Sequence, residues 1–404
     1  MASSSERIKS CTGEATPSTC APWAEQTRPL VNRHGEPVPP LRTFYLYLTA
    51  GCNLACRHCW ITPRFQAKGG TGGHPDLDLL ELGIRQAKTV GLQSCKLTGG
   101  EPTLHPQFAE LCELLARQQL AFWMETNGVL IGAAEARLLA RVGMGFCSVS
   151  LDGATAETHD YQRAVAGAFD RALEGIAHLV AVGIRPQAIL TLTRDNVHEL
   201  FDLFPLAARL GCSSVKVNLL EPTGRGQLMT VDQRGFSARE LLDLGARVEA
   251  ASATVGIPLH YSWPPAFWPM ERLLRGDVNT CGVHGILGIL ADGTLAMCGI
   301  GRHVQELVYG KLGETDVAEL WLHHPQLREL RLLQPSELDG VCGRCIHGKS
   351  CFGSCRANTY NATGSLRAPY KLCQDAYDLG LFPPGRLRPE SQPTGRSPLE
   401  GTHA

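Results

Sequence analysis

The 404-residue sequence has no surplus of charge of either sign: 38 Lys and Arg stand against 39 Asp and Glu, a formal net charge of −1. A chain so balanced offers no field for gripping a phosphate backbone, so no nucleic-acid partner is expected. A signal peptide is also lacking, because residues 1–20 are polar and contain no apolar core. Nor does any later stretch reach the run of about eighteen apolar residues that a spanning helix needs. The expectation is a cytoplasmic protein with no membrane partner.

What the sequence has in excess is cysteine, 16 residues of it. The chain is too long for a small disulfide-stapled domain, and a reducing cytosol disfavours structural disulfides, so metal binding is the leading explanation. Cys52, Cys56 and Cys59 form one tight group, and Cys342, Cys345, Cys351 and Cys355 another. Cys11, Cys20, Cys95, Cys112, Cys147 and Cys212 are scattered and read as buried or incidental thiols.

The length allows two or three domains. Residues 1–41 read as an irregular leader, rich in Ser, Thr, Pro and Gly, whose end packs on the next domain. From 42 to 256 short apolar runs alternate with amphipathic stretches: strands at 42–50, 94–100, 120–128, 144–153, 184–196 and 212–222, and helices near 76–90, 107–118, 133–143, 168–182, 197–210 and 236–255. Six such units imply an α/β fold with a parallel sheet, either curled as a partial (β/α) barrel or laid open and doubly wound. Chemistry then belongs at the C-terminal strand ends. The segment 257–280, dense in Pro and aromatics, reads as a bridge; 281–382 is the cysteine-rich domain, and 383–404 a disordered tail.

The polar motifs fall at those strand ends. Cys52-x3-Cys56-x2-Cys59 follows the first strand, and three thiolates so placed can hold three corners of an iron–sulfur cubane while one iron stays open. A zinc knuckle and a redox-active thiol pair are the competing readings. Gly99, Gly100 and Glu101 follow the second strand, where paired glycines let backbone carbonyls approach a ligand or simply turn the chain. Asn127 closes the third strand. Beyond the fourth, Asp152 reads as a turn residue capping the next segment, and Arg163 as a bidentate fork for a carboxylate or else a surface salt bridge. In the C-terminal region a zinc ribbon would explain the Cys342-x2-Cys345 pair, but Cys281, Cys298, Cys342, Cys345, Cys351, Cys355 and Cys373 do not divide into four-cysteine sites.

GCNLACRHCW (51–60) resembles the signature of the radical S-adenosylmethionine (SAM) superfamily, with His58 where Tyr or Phe is commoner. LTGGEP, the segment SVSLDGATAETHDYQRAVAGAFDRALEGI (148–176) and the seven C-terminal cysteines resemble members that carry a SPASM domain, so the resemblance spans roughly residues 42–380. It implies a partial (β/α)6 TIM-type barrel followed by a small cysteine-rich domain. It also implies three 4Fe-4S clusters: a SAM-binding one on Cys52, Cys56 and Cys59, an auxiliary one on Cys342, Cys345, Cys351 and Cys373, and a second auxiliary one with three irons on Cys281, Cys298 and Cys355. The fourth site of the last is open or filled by another group, with His284 a candidate by proximity. Gly99, Gly100 and Glu101 would take the amino group of the SAM methionine, Asn127 would neighbour the cofactor, Ser150 would contact it, and Arg163 would pair with its carboxylate.

The implied activity is reductive cleavage of SAM to a 5'-deoxyadenosyl radical that takes a hydrogen atom from a substrate, first of all a ribosomally made peptide. A sulfatase-type protein maturase, or a small-molecule enzyme of cofactor or antibiotic biosynthesis, is the alternative, and a multi-cluster electron carrier is the non-catalytic one. The leader is too short and irregular for a recognition module, so leader binding is expected to need a separate leader-peptide-binding protein or surfaces such as 257–270, together with a flavodoxin or ferredoxin as electron donor.

Overall fold

The computed structural model describes residues 29–66, 70, 72–231, 235–275 and 281–389. Cys11 and Cys20, most of the expected leader and the tail from 390 lie outside the described residues. A sheet of ten strands organises the chain. Its strands are β1 (Thr43–Tyr47), β2 (Ser94–Thr98), β3 (Ala121–Thr126), β4 (Phe146–Ser150), β5 (Gln187–Leu192), β6 (Ser214–Leu219), β7 (Leu259–Tyr261), β8 (Ile286–Ile289), β9 (Thr294–Ala296) and β10 (Val308–Lys311). Their order in space is β10-β9-β8-β1-β2-β3-β4-β5-β6-β7.

From β1 to β7 each strand lies beside its predecessor and parallel to it. Right-handed crossovers in an unbroken order put every connecting helix on one face, whereas a doubly wound sheet reverses its order. The winding is therefore that of a partial barrel. The helices are α1 (Leu77–Lys88), α2 (Phe108–Arg117), α3 (Ala133–Arg141), α4 (Ala156–Arg163), α5 (Ala168–Ala181), α6 (Leu200–Arg209), α7 (Arg225–Val231) and α8 (Ala238–Ser252). α1 shows why these stretches are helical: the Asp76 side chain accepts from the amides of Asp78 and Leu79, and Leu80, Gly83, Ile84 and Ala87 fall on one buried face.

Strand residues alternate in burial. Phe44, Leu46, Cys95, Leu97, Phe122, Met124, Cys147 and Val149 are at most 3% exposed, while Tyr45, Lys96, Trp123 and Glu125 on the opposite face are only half-buried. Cys95, Cys112, Cys147 and Cys212 are fully buried, as small core hydrophobes should be.

The described chain forms two compact units whose limits differ from the expected boundaries at 257 and 281. The first comprises the residues up to Phe236, Leu244–Ser262 and Gly282–Leu332; the second Ser237–Asp243, Trp263–Cys281 and the residues from Leu333. The reason is strand pairing. β7, inside the expected bridge, extends the parallel sheet beside β6, and β8, at the start of the expected cysteine-rich domain, pairs in parallel with β1 from Thr43↔Ile286 to Leu46↔Ile289. β8 thereby covers an edge of β1 that would otherwise present unpaired backbone groups. The second unit is built of short helices, among them Gly340–Arg344, Gly348–Cys351, Arg356–Thr363 and Lys371–Asp378. The tail does not begin at 383 as expected. Pro384–Arg386 form a helical turn, and Leu387 makes an antiparallel bridge with Cys345. Among the described residues no helix is long and apolar enough to cross a membrane.

Candidate functional site

The loop after β1 carries Cys52 and Cys56, both buried, and Cys59, half-buried, packed with Leu54, Val129, Val165 and Ala168. Four backbone contacts fix it from outside: Ala55 and Arg57 donate to the carbonyls of Arg163 (3.2 Å) and Gln162 (2.9 Å), the Arg225 guanidinium donates to the Cys56 carbonyl at 2.7 Å, and the Arg225 amide to that of Cys59 at 2.9 Å. Burial pushes the Cys52 thiol far up, and Cys56, Glu101 and Cys59 push it further. Burial also raises Cys56, against the pull of Arg163. Thiols that oppose one another's ionisation in a buried loop call for added positive charge, which an iron–sulfur cluster supplies on binding them. Donors already point at the sulfurs: the Leu54 amide (3.4 Å) and Asn127 Nδ2 (3.8 Å) at Cys52, and Arg163 Nη1 (3.5 Å) at Cys56. The residues present fit a cluster held by three cysteines.

Gly99 and Gly100 let the loop after β2 lie on this loop. Gly99 has φ +123°, and a Cβ on Gly100 would stand 1.8 Å from the Gly51 carbonyl oxygen. The Glu101 carboxylate, 1% exposed, accepts from the Thr103 and Thr126 hydroxyls, each at 2.7 Å, and from the amides of Thr103 (3.2 Å) and Asn127 (2.9 Å). Burial raises its pKa against these bonds. Its side chain thus ties the β2 end to the β3 end rather than reaching outward. Asn127 Nδ2 goes on to Asn53 Oδ1 at 2.8 Å. Ser150, half-buried, closes β4.

Asp152 corrects the sequence reading. The cap of α4 is Thr155, assisted by Glu199, which accepts from the amides of Ala154 and Thr155 and from the hydroxyls of Thr155 and Thr158. Asp152 instead is fully buried, accepts from the Thr191 amide at 2.8 Å, and pairs with Arg163 Nη2 at 2.8 Å and His58 Nε2 at 3.4 Å. Burial works against its ionisation, but Arg163 and His58 hold its pKa below the ordinary value. Burial works likewise against Arg163, and Asp152 with Cys56 raises its pKa overall. Arg163 is therefore no surface salt bridge; it spans Asp152 and a cluster-loop thiol. His58, lowered by burial, stands where an aromatic ring is commoner because an imidazole can both fill that space and reach Asp152.

In the second unit, an open cavity is lined by Cys342, Cys345, Cys351 and Cys373, together with Pro264 and Phe382. Amides point at its sulfurs: Tyr370 at Cys342 (3.3 Å), His347 at Cys345 (3.4 Å) and Ser354 at Cys351 (3.2 Å). Burial pushes Cys351 up to about 11. Arg356, fully buried, has its charge opposed by burial and favoured by Cys342, Cys351, Cys355 and Cys373. This donor set fits a cluster closed by four thiolates. Cys355 accepts from the Asn358 amide at 3.4 Å and does not line the cavity; Cys281 is exposed. Cys298 follows β9 in the first unit, where its charge bears on the buried Tyr47, and His284 lies in the turn before β8. Sequence reasoning missed Arg225 and Arg356; the first had a signal in the glycine-flanked Gly224-Arg225-Gly226 at a strand end, the second none.

A singly wound α/β sheet with a three-thiol loop at its first strand end, and a second unit with a four-cysteine cavity, define an iron–sulfur protein with its site at the barrel mouth. The model described as the radical SAM superfamily matches residues 46–204, and that of an iron-sulfur cluster-binding domain, SPASM, matches 276–346. The AdoMet-dependent heme synthase of Oleidesulfovibrio alaskensis is 30% identical over 363 residues, spanning 83% of this chain and 87% of that protein. The mycofactocin maturase MftC of Mycobacterium ulcerans is 28% identical, spanning 85% of this chain and 90% of its own. In fold, Streptococcus suis SuiB bound to S-adenosylmethionine matches with a TM-score of 0.67 at 17% identity, covering 84% of this chain and 79% of that one. The chain belongs to the radical SAM superfamily and carries a SPASM domain. It is an enzyme that uses SAM and iron–sulfur clusters, which overturns the electron-carrier alternative.

Proposed function

We propose that this enzyme is a maturase that modifies a ribosomally made peptide. Cys52, Cys56 and Cys59 would hold the cluster, which would supply the electron for reductive cleavage of SAM and so the radical chemistry that removes a hydrogen atom from the substrate. The chain's own residues orient the cofactor. Gly99 and Gly100 leave backbone carbonyls uncovered for its ammonium, Asn127 and Ser150 border it, and Arg163, whose buried Nε has no hydrogen-bond partner, takes its carboxylate while Asp152 keeps the guanidinium aimed. Glu101 positions this edge rather than touching the ligand. Two auxiliary 4Fe-4S clusters complete the set: a closed one on Cys342, Cys345, Cys351 and Cys373, and one on Cys281, Cys298 and Cys355 with a fourth iron free for another ligand. A flavodoxin or ferredoxin would supply electrons, and a separate protein would present the leader peptide.

The observation that carries the peptide reading is the likeness to mycofactocin maturase over nine-tenths of that protein's length. A small-molecule substrate is the second reading, favoured by the heme synthase at 30% identity. The deciding experiment incubates anaerobically reconstituted enzyme with reductant and SAM, offering in parallel the short peptide encoded beside the gene and heme precursors. A mass change in the peptide with matching 5'-deoxyadenosine is expected; conversion of a heme precursor alone would replace the peptide reading.

A further inference from the structure

The second unit buries a positive charge that none of its hydrogen-bond partners neutralises. Arg356 follows Cys355 directly and is fully buried. Its Nη1 donates to the carbonyls of Leu366 (3.0 Å) and Ala368 (2.8 Å), and its Nη2 to the Gly353 carbonyl and the Thr359 hydroxyl (3.3 Å). Every acceptor is neutral, Nε is buried with no acceptor at all, and no carboxylate among the described residues pairs with the guanidinium. A charge so enclosed is unfavourable unless an anion lies near it. The acceptors place it against the cysteine cavity. Gly353 lines that cavity beside Cys351, and Ala368 stands two residues before Tyr370, whose amide points at the Cys342 sulfur at 3.3 Å. Phe352, Gly353 and Ser354 are all left-handed, with φ +49°, +66° and +59°, a conformation unfavourable for Phe and Ser. The bond from Arg356 to the middle carbonyl pins this turn, and the turn aims the Ser354 amide at the Cys351 sulfur at 3.2 Å.

We propose that Arg356 is the internal counterion of the cluster on Cys342, Cys345, Cys351 and Cys373, and the residue that positions the Cys351 turn. An iron–sulfur cubane closed by thiolates is a net anion, and reduction adds an electron to it. A fixed positive charge in a low-dielectric surrounding therefore favours the reduced form and raises the reduction potential. Carbonyl oxygens suit this task, because they hold the guanidinium in place without cancelling its charge as a carboxylate would. The inference rests on the proposed assignment of a cluster to these cysteines.

The test is a dithionite titration of anaerobically reconstituted full-length enzyme, followed by electron paramagnetic resonance and accompanied by iron analysis. It compares the wild type with Arg356→Gln, which keeps hydrogen-bond donors but no charge, and Arg356→Lys, which keeps the charge. The reduction step missing from a variant with both Cys342→Ser and Cys345→Ser belongs to this cluster. In Arg356→Gln the equilibrium constant of that step should fall about tenfold or more, a shift of about 59 mV or more to lower potential for a one-electron couple. Arg356→Lys should stay within about threefold of the wild type. Loss of about four irons in Arg356→Gln but not in Arg356→Lys supports the proposal equally, the charge then being needed to assemble the cluster. An unmoved step in Arg356→Gln overturns it. So does an Arg356→Lys variant no nearer the wild type than Arg356→Gln in potential or in iron, because the shape of the side chain rather than its charge would then hold the cage. A wild type with no step that the double Ser variant lacks defeats the cluster assignment itself, and the counterion with it.

Discussion

Asp152 has no exposed surface, and its ion pairs with Arg163 and His58 decide how the residues behind the cluster loop are charged. Removing one partner of a buried pair strands the other, at about 3–5 kcal/mol. Asp152→Ala should therefore lower the unfolding free energy of the cluster-free protein by that amount in urea titrations, and a loss under about 1 kcal/mol would return Asp152 to an ordinary turn residue. The pH dependence has a definite sign. The folded pKa of Asp152 lies below its ordinary 3.8, so its contribution is complete above that value and is lost as pH falls through the lower folded one. Urea midpoints followed downward from neutrality should fall on that acid limb, and Asp152→Asn should flatten it. Arg163→Ala should weaken SAM binding about tenfold to a hundredfold, the worth of a charged hydrogen bond, with iron retained. Unchanged affinity in a dialysis assay would remove Arg163 from the cofactor site. The sequence left Arg163 between a fork for a carboxylate and a surface salt bridge, and its burial removes the second; its anchor Asp152 was not legible, because Ser-Leu-Asp-Gly is locally indistinguishable from a turn.

The decisive element is the pair of loops after β1 and β2, pressed together so closely that Gly100 cannot carry a side chain. Gly100→Ala would drive a methyl into the Gly51 carbonyl, and backbone on both sides leaves no flexible atom to yield. The cluster loop must move instead. Reconstituted Gly100→Ala should hold about four fewer irons per chain than the wild type and form no 5'-deoxyadenosine; full iron content by colorimetric assay would show that the loop tolerates the displacement. The strands themselves were readable, since six apolar runs of the right length alternate with amphipathic stretches. Observed strands are shorter where their ends run into polar motifs, because those residues leave the ladder to build the site. β7 and β8 were hidden: Leu259–Tyr261 has only three residues among prolines and aromatics, and Ile286–Ile289 sits among cysteine spacings that drew it to the other domain.

For the whole molecule the iron count is the sharpest expectation. Three cubanes correspond to about twelve iron and twelve sulfide per chain, and replacing Cys342 and Cys345 together by Ser should leave about eight. Stoichiometric zinc in their place would refute the auxiliary-cluster assignment. Far-ultraviolet circular dichroism belongs beside this measurement, because a site that crosslinks short helices also contributes to their folding. By itself the sequence determined the class of chemistry, through its resemblance to the radical SAM and SPASM signatures: cysteine spacing, paired glycines and strand-end motifs are local in the chain. It also determined the α/β class, since apolar periodicity is local too. Apolar periodicity alone left a doubly wound sheet and a partial barrel open, and the resemblance implied the barrel; the strand order bears that out, and it had to be seen in the tertiary structure because crossovers leave no trace in any one segment. Likewise only the fold revealed the partners of Asp152 and the pairing of Lys96 with Glu125, residues on neighbouring strands that lie far apart in sequence.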